Sequence, residues 1–333
     1  MSRRHVIMLL ALGAIWGASF LLIEIGLRDL EPSTLILLRL GFGALALGAF
    51  VPFSGSSFRE LRPYLGPLAL IGLLNTALPF FLIAWGQQYI DSGLAAIFNA
   101  SAPLFTAFLA LSLDRTQRVG GLRLVGLLVG FAGIVALVGF EPGGGERAVA
   151  GSLAVIAASV CYALGALYVG RRFTGLSPVL VSFGALVWAT IFALPLGAAQ
   201  ASAFGWETLA AMLALGVGAT AVAYLLYFGL IAGAGASRAI LVTYLVPPLA
   251  LLYGATLLDE PVTLLALVGL ALVLTGVALG TGGMRRGGRP EASPTESSLL
   301  DLHPAEHPRE GEVRHEVADD EVAARLRKRA RGG

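Results

Sequence analysis

The sequence predicts an all-helical integral membrane protein, with ten transmembrane helices arranged as two inverted repeats of five helices each. Composition is the first observation behind this fold: 13% of the 333 residues are charged and 56% are hydrophobic, whereas soluble domains carry about 25% charged residues. The second is an internal repeat, in which short sequence patterns recur at an offset of 143 positions. The recurring patterns are Trp85-Gly86 with Phe228-Gly229, Ala95-Ala96-Ile97 with Arg238-Ala239-Ile240, and Gly126 and Gly133 with Gly269 and Gly276.

The number of spans in each copy decides how the copies are oriented. A spanning helix needs about 20 mostly apolar residues, and five such segments fit in each copy. A unit that crosses five times begins on one side and ends on the other, so the second copy must be inverted. The predicted spans are 6–26, 33–53, 64–86, 92–113, 119–139, 151–170, 178–200, 208–230, 235–257 and 263–281.

The distribution of arginine predicts which ends face the cytoplasm. Cytoplasmic loops carry an excess of Lys and Arg, and with the N-terminus inside, the inner loops hold most of the loop arginines while the outer loops are mainly acidic. Both termini are therefore expected to be cytoplasmic. The inner set is Arg3, Arg4, Arg59, Arg62, Arg115, Arg118, Arg171 and Arg172; the outer set is Arg28, Arg147, Asp29, Glu31, Glu141, Glu146, Glu207, Asp259 and Glu260.

Three parts make up the predicted domain organisation. Repeat 1 covers 6–139, repeat 2 covers 151–281, and a hydrophilic tail rich in Gly, Pro, Ser, Glu and Arg covers 282–333. The tail offers no core-forming pattern and is predicted to be disordered. The first apolar run lacks a convincing cleavage site and is long enough to span, so it is interpreted as a retained helix.

Several stretches carry a resemblance to a known family. They are Ala14 to Phe20, Pro32 to Arg39, Gly93 to Pro103, Gly126 to Gly133, Gly235 to Ala239, Pro247-Pro248, Leu258 to Thr263 and Gly269 to Gly276. Together they resemble the EamA family of the drug/metabolite transporter superfamily, over about residues 6–281. The resemblance implies ten helices as two inverted repeats around a central cavity, in the inner membrane of a bacterium. One departure is that Asp114-Arg115 stands where the second copy has Asp259-Glu260.

Two formal charges fall clearly inside predicted spans, Glu24 and Arg39. Charged groups in hydrocarbon are costly and mark functional sites. Their similar depth suggests an ion pair that gates the outer mouth or orients a substrate. Burial also favours a protonated carboxyl, which makes Glu24 the candidate for proton coupling. The alternative is that both side chains reach the outer headgroups.

Amide and aromatic side chains are the candidates for the substrate cavity. Asn side chains donate and accept hydrogen bonds, and Trp and Tyr offer faces for stacking and for cations. Interhelical hydrogen bonds and interface belts are the alternative roles. The cavity candidates are Trp16, Asn75, Asn99, Tyr162, Tyr224, Tyr227 and Tyr244.

Prolines in spans 4 and 9 occupy nearly matching places in the two copies. Pro103, Pro247 and Pro248 remove backbone hydrogen bonds and loosen their helices, so they are predicted hinges for the rocking of one repeat against the other. Kinks that only shape the cavity would give the same pattern.

These features predict a secondary transporter and not an enzyme. It would export a small neutral or zwitterionic, amino-acid-like metabolite by alternating access. The alternatives are a multidrug or cation exporter of the same fold and an uncoupled, channel-like facilitator. No phosphate-binding loop occurs in the sequence, and no cofactor or metal is predicted. The expected partners are the solute, the lipid bilayer and protons, with no nucleic acid, in a monomer or homodimer.

Overall fold

A computed structural model describes residues 1–113, 121–140, 145–173 and 175–280. The described part is helical and contains no strand. The predicted tail at 282–333 and the Asp114-Arg115 pair lie outside it. The α-helices are α1 Arg3–Leu27, α2 Pro32–Phe50, α3 Leu65–Gly72, α4 Leu78–Gln87, α5 Ser92–Asn99, α6 Ala102–Leu113, α7 Gly121–Phe140, α8 Gly145–Arg172, α9 Pro178–Ala199, α10 Trp206–Leu213, α11 Ala223–Ala234, α12 Ala236–Ala239, α13 Val242–Leu257 and α14 Leu264–Gly280.

Within the described residues, seven helical segments are long and apolar enough to cross a membrane. Three shorter apolar helices, Leu124–Gly139, Val242–Leu257 and Leu264–Gly280, lie where the sequence predicts spans 5, 9 and 10. A multi-pass helical membrane protein is therefore confirmed, while the inverted five-plus-five arrangement stays a prediction. The seven segments are Arg3–Leu27, Pro32–Ser54, Phe58–Gln87, Ser92–Ala110, Gly145–Val169, Pro178–Ala199 and Trp206–Ala234.

Helices α7 and α14 pack backbone against backbone along a seam of glycines. A Cβ atom placed on Gly276 would overlap the backbone of Gly130, and one placed on Gly126 would overlap the backbone of α14. At Gly133 an added Cβ would lie 2.8 Å from Leu272 Cβ and 3.3 Å from Val273 N. Small residues at this spacing let membrane helices approach closely, and here they join the first half of the chain to the second.

Two helices contain a π-helical segment at corresponding places in the two halves. Leu73–Ala77 separates α3 from α4, and Ala214–Val222 separates α10 from α11. At the 143-residue offset the first segment corresponds to 216–220, which lies inside the second. π segments are rare and often mark functional sites. Sequence reasoning missed both of them, because neither contains a proline or a charge.

Spans 4 and 9 are each interrupted, span 4 near its middle and span 9 near its start. α5 ends at Asn99 and α6 begins at Ala102, and α12 ends at Ala239 before α13 begins at Val242. Pro103 occupies the second position of α6, where no backbone donor is needed, while Pro247 and Pro248 lie inside α13. The breaks thus precede the prolines, and a hinge role for the prolines stays a prediction.

The loops divide between two ends of the helical body. We call the end that carries loops 28–31, 88–91, 200–205 and 258–263 the acidic end, and the opposite end the basic end. At the basic end, aromatic rings join the 3₁₀ helix Phe58–Tyr64 to the second half. The Phe58 and Phe183 rings lie 5.2 Å apart, and those of Tyr64 and Phe173 lie 5.7 Å apart.

Candidate functional site

A cavity of about 430 Å³ opens at the acidic end. Its volume falls within the range of small-molecule sites, about 300–1,000 Å³. The wall comes from α1, the end of α4 and two loops, one from each half of the chain. Its lining residues are Glu24, Arg28, Gln87, Gln88, Tyr89, Ile90, Asp91, Leu258, Asp259, Glu260 and Pro261. We refer to this space as the acidic cavity.

Glu260 closes one wall of the acidic cavity by capping α5. Its Oε1 accepts a hydrogen bond from Ser92 N at 2.9 Å, and its Oε2 accepts from Ser92 Oγ at 2.9 Å and from Gly93 N at 3.2 Å. The first N–H groups of a helix lack intrahelical partners and favour a carboxylate. The Glu260 carboxylate of the second half therefore holds a helix of the first half.

Local backbone geometry brings Glu260 to this position. Asp259 adopts φ +57°, a left-handed conformation that turns the chain directly after α13. The Glu260 carboxylate then lies against Gly254, where any larger side chain would overlap it. The Asp-Glu-Pro sequence thus forms a turn that directs the Glu260 carboxylate, in the second half of the chain, toward the N-terminus of α5 in the first half.

Asp29 makes the reciprocal contact, from the first half to the start of α10. Its Oδ2 accepts from Thr208 Oγ1 at 2.5 Å and from Gly205 N at 3.4 Å, and these bonds hold the pKa of the Asp29 carboxyl below its usual range. Beside it, Arg28 and Glu207 form an ion pair at 3.7 Å, and both side chains are largely exposed. Exposed pairs contribute little stability, so the Asp29 cap is the main polar contact here.

Two buried acceptors at the floor of the acidic cavity lack hydrogen-bond partners in the described part of the chain. They are Glu24 Oε2 and Gln87 Oε1. Gln87 is 3% exposed, and its Nε2 donates to the Phe20 carbonyl of α1 at 3.0 Å. The Gln87 amide lies beside the Glu24 carboxyl. Sequence reasoning missed Gln87, and its position next to a second glutamine at the end of an apolar run was the available signal.

Arg39 lies deeper, in a pocket of aromatic residues. Its side chain is buried, its Nε donates to Thr220 Oγ1 at 3.2 Å, and its Cζ lies 3.8 Å from the centre of the Phe80 ring. Tyr162 and Tyr224 are near enough to interact with its charge. Thr220 belongs to the second π segment and also donates to Leu215 O at 3.0 Å.

The predicted ion pair between Glu24 and Arg39 is absent. Across the described ranges, Arg28 with Glu207 is the one pair of opposite charges within 4 Å. Arg39 is instead stabilised by cation–π contact and by a hydroxyl, so its cationic charge has no carboxylate partner there. Similar depth along two helices was insufficient to predict contact, because the two side chains point to different neighbours.

The remaining cavity candidates separate into two groups. Tyr162, Tyr224 and Tyr244 border the main core, whereas the rings of Trp16 and Tyr227 contact each other at a tilt, with centroids 5.4 Å apart, in another apolar cluster between α1, α11 and α13. The structure thus separates Trp16 and Tyr227 from the Arg39 pocket.

The two asparagines also have different surroundings. Asn75 lies in the first π segment with its side chain against Gly165 of α8, a packing contact. Asn99 ends α5, and its Oδ1 is buried without a hydrogen-bond partner among the described residues. Asn99 Oδ1 is therefore an acceptor without a partner there, and the Asn75 side chain packs against α8; a cavity role stays a prediction for both residues.

The model of the EamA-like transporter family matches residues 3–139 and again 149–281. This chain belongs to that family. The two matches cover most of the described residues and include every residue of the acidic cavity and of the Arg39 pocket.

Several proteins are similar to this chain over most of their length. The uncharacterized inner membrane transporter YedA of Escherichia coli K12 is 31% identical over 288 residues, which cover 83% of this chain and 90% of YedA. A probable terminal-alkyne amino-acid exporter of Streptantibioticus cattleyicolor is 29% identical over 271 residues, covering 79% and 89%. A protein of known crystal structure shares the fold, with a TM-score of 0.61, 20% identity and coverage of 84% and 97%.

Proposed function

We propose that this protein is a secondary transporter of a small amino-acid-like solute, built from ten spans in two inverted halves. Arg39 carries the proposal. A buried guanidinium without a carboxylate partner among the described residues costs solvation free energy, and a substrate carboxylate would supply the missing charge through a bidentate contact. Tyr162 and Tyr224 beside it would add a polar hydroxyl and an apolar ring surface each.

Family membership and the names of the relatives also support the transport of an amino-acid-like solute. The Streptantibioticus relative is named as an exporter of an amino acid, and YedA is named as an inner membrane transporter. We infer export from the cytoplasm across the inner membrane, with both termini cytoplasmic and the acidic end outside. Alternating access would come from one half rocking against the other, with Glu24 as the proposed site of proton coupling.

A multidrug or cation exporter is the second candidate function. Four of the residues that line the acidic cavity are carboxylates and one is an arginine, which favours cationic solutes. The two candidates differ in the solute's need for a carboxylate, so Arg39 separates them.

The deciding experiment is counterflow of labelled amino acids into proteoliposomes containing wild type or variants at Arg39. Arg39→Gln should lower the rate about 10- to 100-fold, because a hydrogen-bonded charge contact is worth about 1.5–3 kcal/mol. Arg39→Lys should retain part of the activity, since it keeps the charge and loses the planar fork. Arg62→Gln, an exposed change at the basic end, is the matched control.

Other outcomes point to other functions. Equal transport by wild type and Arg39→Gln would exclude a carboxylate contact at Arg39. Transport limited to cations without a carboxylate would favour the second candidate, and ohmic conductance would indicate a channel-like facilitator. Coupling is tested separately: Glu24→Gln should abolish the dependence of transport on a pH gradient.

A further inference from the structure

We propose that the acidic cavity binds the ammonium group of the transported solute between Glu24 and Gln87, and that it selects solutes with a free protonated amine. This inference rests on the proposed transport of an amino-acid-like solute. It adds a second recognition site, at the acidic end, to the Arg39 pocket.

The orientation of the Gln87 amide is fixed by its surroundings. The Phe20 carbonyl can only accept a hydrogen bond, so the group that faces it at 3.0 Å must be the amide nitrogen. Gln87 Oε1 is therefore turned to the other side, where it is buried and has no partner among the described residues. Gln87 also lines the acidic cavity. A buried acceptor left in this way costs about 1–3 kcal/mol, and a donor from a ligand would recover that cost.

Glu24 presents a second free acceptor in the same cavity. Its Oε2 is buried without a hydrogen-bond partner in the described structure, and its carboxyl lies next to the Gln87 amide. An amide oxygen and a carboxylate oxygen both need hydrogen-bond donors. An ammonium group offers three N–H donors and a positive charge, and it accepts nothing.

The charge of the surrounding residues favours the same ligand. Glu260 and Asp91 lie close enough to Glu24 to affect its charge, and the lining cation Arg28 is directed toward Glu207 at 3.7 Å. Glu260 already accepts three hydrogen bonds, from Ser92 N, Ser92 Oγ and Gly93 N. Glu24 Oε2 and Gln87 Oε1 are thus the buried acceptors without a partner, within the described chain, in a space lined by four carboxyl groups and one arginine.

A metal ion fits this cavity less well than an ammonium. No group of three or more His, Cys, Asp or Glu side chains placed to hold a metal occurs among the described residues. A cavity of about 430 Å³ is also far larger than a bare ion and matches a small organic solute.

The acidic cavity and the Arg39 pocket cannot hold the two ends of one α-amino acid at once. Gln87 and Phe80 lie on the same face of α4, two turns apart, which places Gln87 about 10 Å from the level of Arg39. The ammonium and carboxylate of an α-amino acid are less than about 4 Å apart. The two sites therefore act in succession on such a solute, the ammonium at the cavity and the carboxylate at Arg39.

The test measures thermal stability of the purified full-length protein at pH 7 with three probes. n-Butylamine carries the ammonium alone, tetramethylammonium carries the charge without N–H donors, and butyrate carries the carboxylate alone. n-Butylamine should raise the melting temperature of wild type and of Arg39→Lys, and tetramethylammonium should raise it much less. Butyrate should act through Arg39.

Variants at the two acceptors make the test specific. Glu24→Gln and Gln87→Leu should each weaken n-butylamine binding at least about tenfold, whereas Glu31→Gln, which removes an exposed charge at the same end, should leave it unchanged. Gln87→Lys would place an ammonium of the protein in the cavity. It should raise the melting temperature without ligand and abolish the response to n-butylamine, a result that a merely structural glutamine would not give.

The outcomes separate this inference from the proposed function. Counterflow of amino acids without any effect of n-butylamine, or an equal effect of tetramethylammonium or sodium chloride, would overturn the ammonium site and leave the transporter proposal intact. Stabilisation by n-butylamine that needs Glu24 and Gln87, in a protein that transports no amino acid, would support the site and overturn the proposed function.

Discussion

The glycine seam between α7 and α14 and the acidic end both join the two halves of the chain, and they do so by opposite means. The seam brings backbones together through Gly126, Gly130 and Gly276, with no space left for a side chain. At the acidic end, Glu260 and Asp29 each cap the first turn of a helix in the other half. Both carboxylates belong to loops, and Glu260 also lines the acidic cavity.

The difference shows which junction can move. Close packing of backbones is lost all at once when helices separate, because dispersion contacts fall off steeply with distance. A carboxylate that leaves a helix N-terminus next to water exchanges protein donors for water at a net cost of only about 1 kcal/mol per bond. The seam is therefore the fixed junction, and the two caps are the exchangeable one.

A larger side chain in the glycine seam is expected to have the largest effect on the stability of the fold. Gly276→Leu would force the backbone of Gly130 away and should destabilise the fold by about 3 kcal/mol or more. Size-exclusion profiles and melting curves in detergent would measure this. Gly139→Leu is the matched control, because an added Cβ there meets nothing within 4 Å. A well-folded Gly276→Leu protein would show that the seam is less closely packed than described.

Removing the Glu260 cap is expected to have an intermediate effect. Glu260→Ala leaves Ser92 N and Gly93 N without the carboxylate, at a cost of about 1–3 kcal/mol if water does not replace it. It should also open the acidic end. The opening can be measured by maleimide labelling in a Cys161→Ser, Ile90→Cys background, which leaves a single cysteine at the buried position 90. Labelling should be faster when this background also carries Glu260→Ala. Glu31→Ala, an exposed change at the same end, should leave the rate unchanged.

Substitution of Asp91 should have the smallest effect, a change in how the stability of the protein depends on pH. Burial, followed by the charge of Glu260, raises the pKa of Asp91. A raised carboxyl pKa means that the folded state binds the proton more tightly, so this group's contribution to stability falls as pH rises from the ordinary aspartate range through the raised pKa. Asp91→Asn should remove that loss and stabilise the protein slightly at neutral pH.

Asp29→Asn provides a control of opposite sign for this measurement. Because the pKa of Asp29 is lowered by the bonds to Thr208 and Gly205, its contribution is present above the ordinary aspartate pKa and is lost as pH falls through the lowered one. Melting temperatures across a pH series should therefore show Asp29→Asn destabilised at neutral pH and nearly equal to wild type in acid. The same sign for both variants would contradict this description of the acidic end.

Helix positions could be predicted from the sequence because apolar run length alone defines them. α2 begins at Pro32 and α9 at Pro178, within one residue of the predicted starts. The sequence placed Arg39 inside a span but also allowed its side chain to reach the headgroups, and the structure buries it. Its contact with Thr220 could not be predicted, because Thr220 belongs to a π segment that no sequence pattern marks.

The partners of the buried polar groups required the structure. Trp16 and Tyr227 have the composition of cavity residues, yet their rings pack on each other, because both lie on faces where α1 meets α11. Glu260 was visible as part of a recognisable motif, but its role as a cap on α5 depends on the turn at Asp259. Sequence reasoning thus found polar residues more readily than it found which neighbour each one contacts.

Each half of the chain contains one π segment, at which the part of the helix beyond the segment can rotate about the helix axis without losing its backbone hydrogen bonds. A helix advances by about 100° per residue, so gaining or losing the one extra residue of a π turn rotates everything beyond it by that angle while the backbone hydrogen bonds are retained. In the second half, Tyr224 lies just beyond such a segment and Thr220, the partner of Arg39, lies within it. A rotation there would turn the pocket around Arg39 while the seam stays closed.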